Sequence, residues 1–248
     1  MRIPASPHPT LKKYYPRDDD RQRFVTALFD STARYYNWSC AVGSLGSGQF
    51  YRRAVLRRSG LRTGMTLLDV ATGTGLVARA ASTLLPRPGA VIGVDPSAGM
   101  LRQGRSSHSA LLVQGVVEGL PFSDERFDFL TMGYALRHVA DLRVAFTECL
   151  RVLKPGGRLL ILEITQPSSA PGRWLARAYF NTVLPLLMRI ATGSPQAEVL
   201  MRYHWDTIVE CVPAGIILDV LRASGFTDVE RRVQRGLFSE YLGIKPPR

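Results

Sequence analysis

At 248 residues the chain is long enough for one domain with a substantial core, and its 46% hydrophobic and 21% charged content is ordinary for a globular protein. Cys40, Cys149 and Cys211 are far apart and form no Cys-x-x-Cys, and the four histidines are dispersed. This argues against a disulfide framework or a structural metal site and makes a reducing cytoplasm the expected compartment. No apolar run approaches the ~18 residues of a spanning helix, and no apolar signal core follows the N-terminus. The net charge of +12 is spread over pairs such as Arg52-Arg53, Arg57-Arg58 and Arg231-Arg232, without a helix-turn-helix, RNP or zinc-finger pattern. Nucleic acid is therefore not the expected partner. Solvated faces account for most of the charge, and an anionic membrane surface is the next reading.

In chain order, residues 1–20 carry three prolines before Tyr14 and read as a flexible arm. Two helices follow over 21–61, around the bend Gly43-Ser-Leu-Gly-Ser-Gly48. From Gly64 onward apolar runs alternate with helical patterns. Strands are expected at 65–71, 90–95, 110–117, 127–133 and 158–164, with helices at 75–85, 97–104 and 141–153. In the last of these Leu142, Ala145, Phe146, Cys149 and Leu153 share one face, and Lys154-Pro-Gly-Gly157 closes it. Residues 171–224 read as an irregular helical insertion interrupted by Pro185, Pro195 and Pro213, ahead of closing strands at 228–234 and 237–244. Near-continuous apolar strands alternating with helices imply an α/β, Rossmann-like fold: a seven-stranded, mostly parallel sheet covered on both faces. The domain is expected to run from 21 to 248, with the insertion over the carboxyl edge of the sheet as a lid. Its stretch 174–191 is apolar and aromatic, with arginines interspersed. That stretch is read as packed on its own domain, with an interfacial helix at a membrane as the sharper alternative.

The stretch Asp69-Val-Ala-Thr-Gly73-Thr-Gly75 carries the most information. An acid followed by glycines at a strand-to-helix turn lets backbone approach a nucleotide-type cofactor. Asp95 ends the next apolar run, twenty residues after Gly75, where a carboxylate can accept from both ribose hydroxyls. The loop by itself also fits a dinucleotide fingerprint.

Downstream text narrows the class. Leu120-Pro121-Phe122, Arg126-Phe-Asp128, Leu136-Arg137-His138-Val139 and Arg151-Val-Leu-Lys154-Pro155-Gly156-Gly157 follow in order. With Phe29-Asp-Ser-Thr-Ala33, Ser44-Leu-Gly46 and Tyr51-Arg-Arg53, they make the chain resemble the class I S-adenosylmethionine (SAM) methyltransferases. It looks most like the ubiquinone/menaquinone C-methyltransferase branch, over 29–245. The resemblance implies SAM as cofactor, held by Asp69, Gly73, Thr74, Gly75, Asp95, Val116, Val117 and Gly133. It implies methylation of carbon on a quinol or phenolic ring, with peripheral membrane contact and a homodimer among the partners it allows. His138 stands where the branch usually has asparagine, and is read as a base on the acceptor hydroxyl. Arg137 orients an oxygen beside it, and Tyr134 is a pocket wall or donor.

Three departures lie on the binding side. Val116 replaces an acid or amide that would accept from the adenine amino group; Tyr36-Asn37-Trp38-Ser39-Cys40 replaces Tyr-Asp-x-x-Asn; and Leu242 replaces a histidine. An O- or N-methyltransferase of a secondary metabolite is the alternative within the class. An NAD-dependent oxidoreductase, disfavoured by the missing Tyr-x-x-x-Lys, and a nucleic-acid-binding protein are the alternatives outside it.

Overall fold

The computed structural model describes residues 6–44, 46–105 and 110–248; the first five residues of the arm and Leu45 of the bend lie outside them. Seven strands, β1 (Leu67–Val70), β2 (Val91–Asp95), β3 (Leu111–Gln114), β4 (Phe127–Gly133), β5 (Leu153–Ile164), β6 (Thr227–Gln234) and β7 (Phe238–Ile244), form one sheet in the order β3-β2-β1-β4-β5-β7-β6. The first five are parallel; β7 runs antiparallel to β5 and β6. The chain builds outward from β1 to β3, then returns to β4. The connections that leave the carboxyl ends of neighbouring β1 and β4 therefore run to opposite sides, the place where open α/β sheets leave a crevice.

Alternation along the strands feeds two cores. Leu68, Val70, Leu130, Met132, Leu159 and Ile161 face one side, against α5 (Leu142–Val152) and α9 (Ala214–Ala223). Leu67, Phe129, Leu160 and Leu162 face the other, against α2 (Gly48–Arg58) and α3 (Leu76–Ser82). A period of two with both faces apolar is the pattern of a doubly covered sheet. α4 (Ala98–Arg105) completes the crossover from β2 to β3.

A third apolar cluster lies off the sheet, where α1 (Arg21–Gly43) packs with α7 (Leu184–Thr192) and α8 (Pro195–Glu210) around Val25, Leu28, Met188, Leu200 and Tyr203. Ahead of α7, α6 (Ala170–Ala178) runs through a π turn, Tyr179–Val183. Pro185 has no N–H for the carbonyl of Asn181, four residues earlier, which loosens the α register at that point.

Three boundaries differ from those read in the sequence. The arm is not loose over residues 6–20: Tyr15 is buried, Tyr14 and Lys13 both donate to Asp206, and Val212 N–H donates to the Pro7 carbonyl. β5 begins at Leu153, because Lys154–Gly157 continues into the strand through an irregularity with Gly156 at φ +76° and pairs with Lys245, rather than serving only as a helix stop. Residues 214–223, placed within the insertion, form α9 and pack into the sheet's own core, so the inserted helical layer is α6 to α8.

Candidate active site

The site grows from the carboxyl ends of β1, β2 and β4. Asp69, on β1, lies opposite Thr131 of β4 and is buried. Its Oδ1 accepts from Thr131 Oγ1 at 2.7 Å; its Oδ2 accepts from Thr72 Oγ1 at 2.6 Å and Ala78 N at 3.1 Å. One side chain thus ties β1, β4, the glycine loop and α3 together. Burial pushes its carboxyl up to about 6, against the pull of those three donors.

Gly73 and Gly75 lie at φ +58° and +79°, a region open to glycine without a Cβ penalty. Gly73 N–H donates to Asp95 Oδ2 at 2.7 Å, and Ser97 N–H to Asp95 Oδ1 at 2.9 Å. Each Asp95 oxygen is anchored by one backbone donor and keeps capacity for another. Burial raises this carboxyl too, to about 6. Gly133 at the end of β4 is set by proximity: a Cβ there would lie 2.7 Å from Val77 Cγ2. Thr74 donates to Asn37 of α1, so the side chain at the divergent Tyr36-Asn37 position braces the loop. Val116 follows β3 and is half-buried, its carbonyl taken by Gly119 N–H at 3.3 Å, while the Val117 side chain enters the core.

Between these strand ends lies a small open cleft, lined among others by Tyr36, Arg52, Asp69, Gly73, Gly133 and Tyr134. Tyr134 is held at φ +62°, a sparsely populated conformation for a residue with a side chain, and its burial pushes the phenol up to about 12. Arg52 of α2 leans over it, 5.7 Å from the ring centroid. Arg52 is buried, its Nε has no hydrogen-bond partner, and no ion pair among the described residues involves it. Its charge acts on the Asp69 carboxylate only through space, and a buried guanidinium without a bonded counter-ion points to an anion that arrives with a ligand. In the sequence Arg52 stands among the dispersed charges and in the Tyr51-Arg-Arg53 motif, with no site role given to it; its i+3 and i+4 neighbours Val55 and Leu56, both buried, are the signal that it faces inward.

Two residues read as chemical participants stand elsewhere. Arg137 is 2% exposed and fully engaged: Nε donates to Glu163 Oε2 at 2.8 Å, and Nη1 donates to Thr207 Oγ1 at 2.6 Å and to the His204 carbonyl at 3.2 Å. It fastens α8 to the sheet and has no spare donor aimed at the cleft. Glu163, whose Oε1 also accepts from Leu136 N–H, is the partner the sequence did not disclose. His138 does not line the cleft. Its ring stacks on Tyr203 at 5.4 Å, meets Phe29 edge-on at 5.4 Å, and lies 5.8 Å from His204. Both ring nitrogens are enclosed without a partner, and burial, aided by Arg137, drives its pKa well below 6.5. A base titrating near neutrality is therefore not what this environment makes.

Asp30, part of the Phe29-Asp-Ser-Thr-Ala33 motif but given no role there, accepts from Ser97 Oγ at 2.6 Å and Gly99 N–H at 2.7 Å, tying α1 to the start of α4. A Cβ on Gly99 would meet the Asp30 carbonyl at 2.9 Å, so close packing of α1 depends on that glycine.

The strand order β3-β2-β1-β4-β5-β7-β6 with β7 antiparallel, the glycine loop after β1 and the acid at the end of β2 together define a class I SAM-dependent methyltransferase fold. The model of the ubiE/COQ5 methyltransferase family matches residues 17–245, and the chain belongs to that family. It is similar to a demethylmenaquinone methyltransferase of Mycolicibacterium paratuberculosis, 33% identical over 93% of this chain and 97% of that one. A protein of Pseudomonas paraeruginosa named ubiquinone/menaquinone biosynthesis C-methyltransferase UbiE is 32% identical over 92% of this chain and 91% of that one. Among solved structures, a SAM-dependent methyltransferase of Thermotoga maritima, described as a possible histamine N-methyltransferase, superposes with a TM-score of 0.60. That match covers 89% of this chain and 99% of the other at 20% identity, a likeness of fold alone. The protein is a methyltransferase.

Proposed function

We propose that the protein transfers a methyl group from SAM to a ring carbon of a quinol or related phenol, the reaction class named for its relatives. The observation that carries the cofactor half is the pairing of charges about the glycine loop: Asp95 with acceptor capacity on one side, the unpaired Arg52 on the other. In this reading Asp95 receives the ribose hydroxyls and Arg52 the amino-acid carboxylate. The backbones of Gly73, Thr74, Gly75 and Gly133 give close approach, while Asp69 holds them in place. Val116 gives adenine an apolar wall in place of a side-chain acceptor, with the backbone of Val117, whose side chain is in the core, beside it.

SAM supplies an electrophilic methyl on a sulfonium that leaves as a neutral sulfide. A hydroquinone ring carbon is already electron-rich, so the chain's task is to align it; as the C–CH3 bond forms the ring C–H bond breaks, and its proton is released to water. Tyr36 and Tyr134 face the cleft and flank a flat acceptor there, with α6 to α8 as the lid. His138 supports that wall from within the aromatic cluster, and Arg137 positions the turn that carries Tyr134. A lipid-tailed acceptor would bring the protein to a membrane surface as a peripheral visitor.

The test is incubation of purified protein with methyl-labelled SAM and a panel of demethylmenaquinol, demethoxyquinol and simple phenols, with mass spectrometry locating the label. Label on ring carbon is the expected result. Label confined to oxygen or nitrogen, or no transfer to any quinol, overturns the acceptor assignment.

A further inference from the structure

The strongest unassigned feature is on the outer side of the helical layer. Six of the thirteen large hydrophobic side chains exposed among the described residues, Trp174, Leu175, Val183, Leu186, Leu187 and Ile190, belong to the single stretch of α6, the π turn and α7. Trp174 is 72% exposed and Ile190 73%. Monomers expose scattered apolar residues routinely, but not a run of this kind.

The π turn decides how these residues are arranged. In a straight α helix, Leu187 and Ile190 would rotate well away from Trp174. A π turn is wider and lags the α phase by about a quarter turn, which brings all six into one stripe about a third of the circumference wide. The opposite face holds the buried Ala176, Leu184 and Met188. Arg173, Arg177 and Arg189 fall along one border of the stripe. Between Ile164 and Ala197 there is no aspartate or glutamate at all. No ion pair among the described residues involves Arg173 or Arg177, and Arg189 has only an exposed contact with Glu198 at 3.3 Å.

We propose that the α6–α7 face seats the protein on an anionic lipid bilayer, with Trp174, Leu175, Leu186 and Ile190 entering the interface and Arg173 and Arg177 meeting the headgroups. An apolar stripe with a bordering tryptophan and a one-sided cationic rim is the form of a helix lying in the interface plane. No helix among the described residues is long and apolar enough to cross a membrane, so the contact is a surface one. Charge favours lipid over a second copy of the chain: two such faces would bring together four arginines, Arg173 and Arg177 of each copy, that have no acid of their own to meet. The position also connects docking to the site. On its buried side α7 contributes Leu184 and Met188 to the same cluster that packs Tyr36, the cleft wall. This deepens the reading of a lipid-tailed acceptor, but the surface and its test stand without that reading.

The experiment is flotation of the full-length protein with vesicles of equimolar phosphatidylglycerol and phosphatidylcholine, and with phosphatidylcholine alone, at low and high salt. The expected result is binding to the anionic vesicles that weakens with salt. Trp174→Glu/Ile190→Glu should reduce that binding by at least about tenfold. Arg173→Glu/Arg177→Glu should abolish the preference for anionic lipid. Both variants substitute side chains away from the cleft, so they should retain the parent's S-adenosylhomocysteine affinity and thermal midpoint. Equal flotation of parent and Trp174→Glu/Ile190→Glu overturns the proposal. So does a lipid-free, concentration-dependent dimer in sedimentation velocity that the same variant dissociates, because it assigns the face to a second copy. Loss of quinol methylation with vesicle binding intact would count against the acceptor and leave the docking surface standing.

Discussion

The two sides of the β1/β4 crevice are built on opposite principles. On the cofactor side, polar groups converge: the Asp69 carboxylate takes three donors, Asp95 takes two backbone N–H groups, and glycines allow the chain to close around them. Beneath the helical layer, aromatic rings do the packing, and His138 sits among Phe29, Tyr203 and His204 with neither nitrogen satisfied. Two of the three arginines buried among the described residues mark the contrast. Arg137 is paired and welds the layers; Arg52 is unpaired and faces open space. A buried charge with its counter-charge in the protein is a structural fastener, whereas one without it is half of a binding site.

The largest effect expected from breaking this contrast is at Arg137. Truncation to alanine leaves Glu163 buried and alone, and should cost about 3–5 kcal/mol of stability. Chemical denaturation reads this directly; a variant as stable as the parent would return Arg137 to the list of substrate contacts. Arg52→Ala should behave in the opposite way, folding normally but binding S-adenosylhomocysteine about 10–100-fold more weakly, the worth of one charge-assisted contact. Its affinity for 5′-methylthioadenosine, which lacks the amino-acid end, should not change. An equal loss for both ligands in calorimetry would make Arg52 a general support of the cleft.

His138→Phe sharpens the contrast from the other side. Replacing two enclosed, unpartnered nitrogens by carbon of similar shape should leave stability unchanged or raise it by about 1–2 kcal/mol. Turnover should fall by less than about tenfold, since a general base is worth about 10²–10⁴ and none is assigned here. A loss in that larger range would restore histidine to the acceptor chemistry.

The smallest effect is one of pH. Asp69 and Asp95 both titrate higher in the fold than in a free chain, each at about 6. The stability that the protonated forms contribute is therefore complete below the ordinary carboxylate range and lost as pH rises through about 6. Cofactor affinity should run the other way, strengthening over the same interval as Asp95 ionises. Titration calorimetry between about pH 5 and 8 checks this; in an Asp95→Asn variant the slope should diminish, and a flat profile in the parent would remove Asp95 from the ribose.

The cofactor half was legible in the chain because its parts are local. Asp69 to Gly75 is one loop, its glycines answer to backbone geometry, and Asp95 ends the next strand. Near-continuous apolar runs between helical patterns likewise disclosed the five parallel strands, with β4 read at its observed bounds, because such a run is a property of neighbouring residues. The acceptor half was legible only as composition. His138 looked chemical because it replaced an amide at a strand end, yet what surrounds it comes from Phe29 and Tyr203, far away in sequence. Arg52 looked like surface charge, and its lack of a partner became visible only when α2 lay against the ends of β1 and β4.

By itself, then, the sequence determined the sheet, the loop and the acid that follows it, since local propensity and periodicity act over a few residues. Tertiary structure decided which charges are satisfied, which face of the inserted helices points outward after the π turn, and which ring stands in the cleft. Those outcomes depend on burial and on partners supplied by distant segments, and no spacing within one segment encodes them.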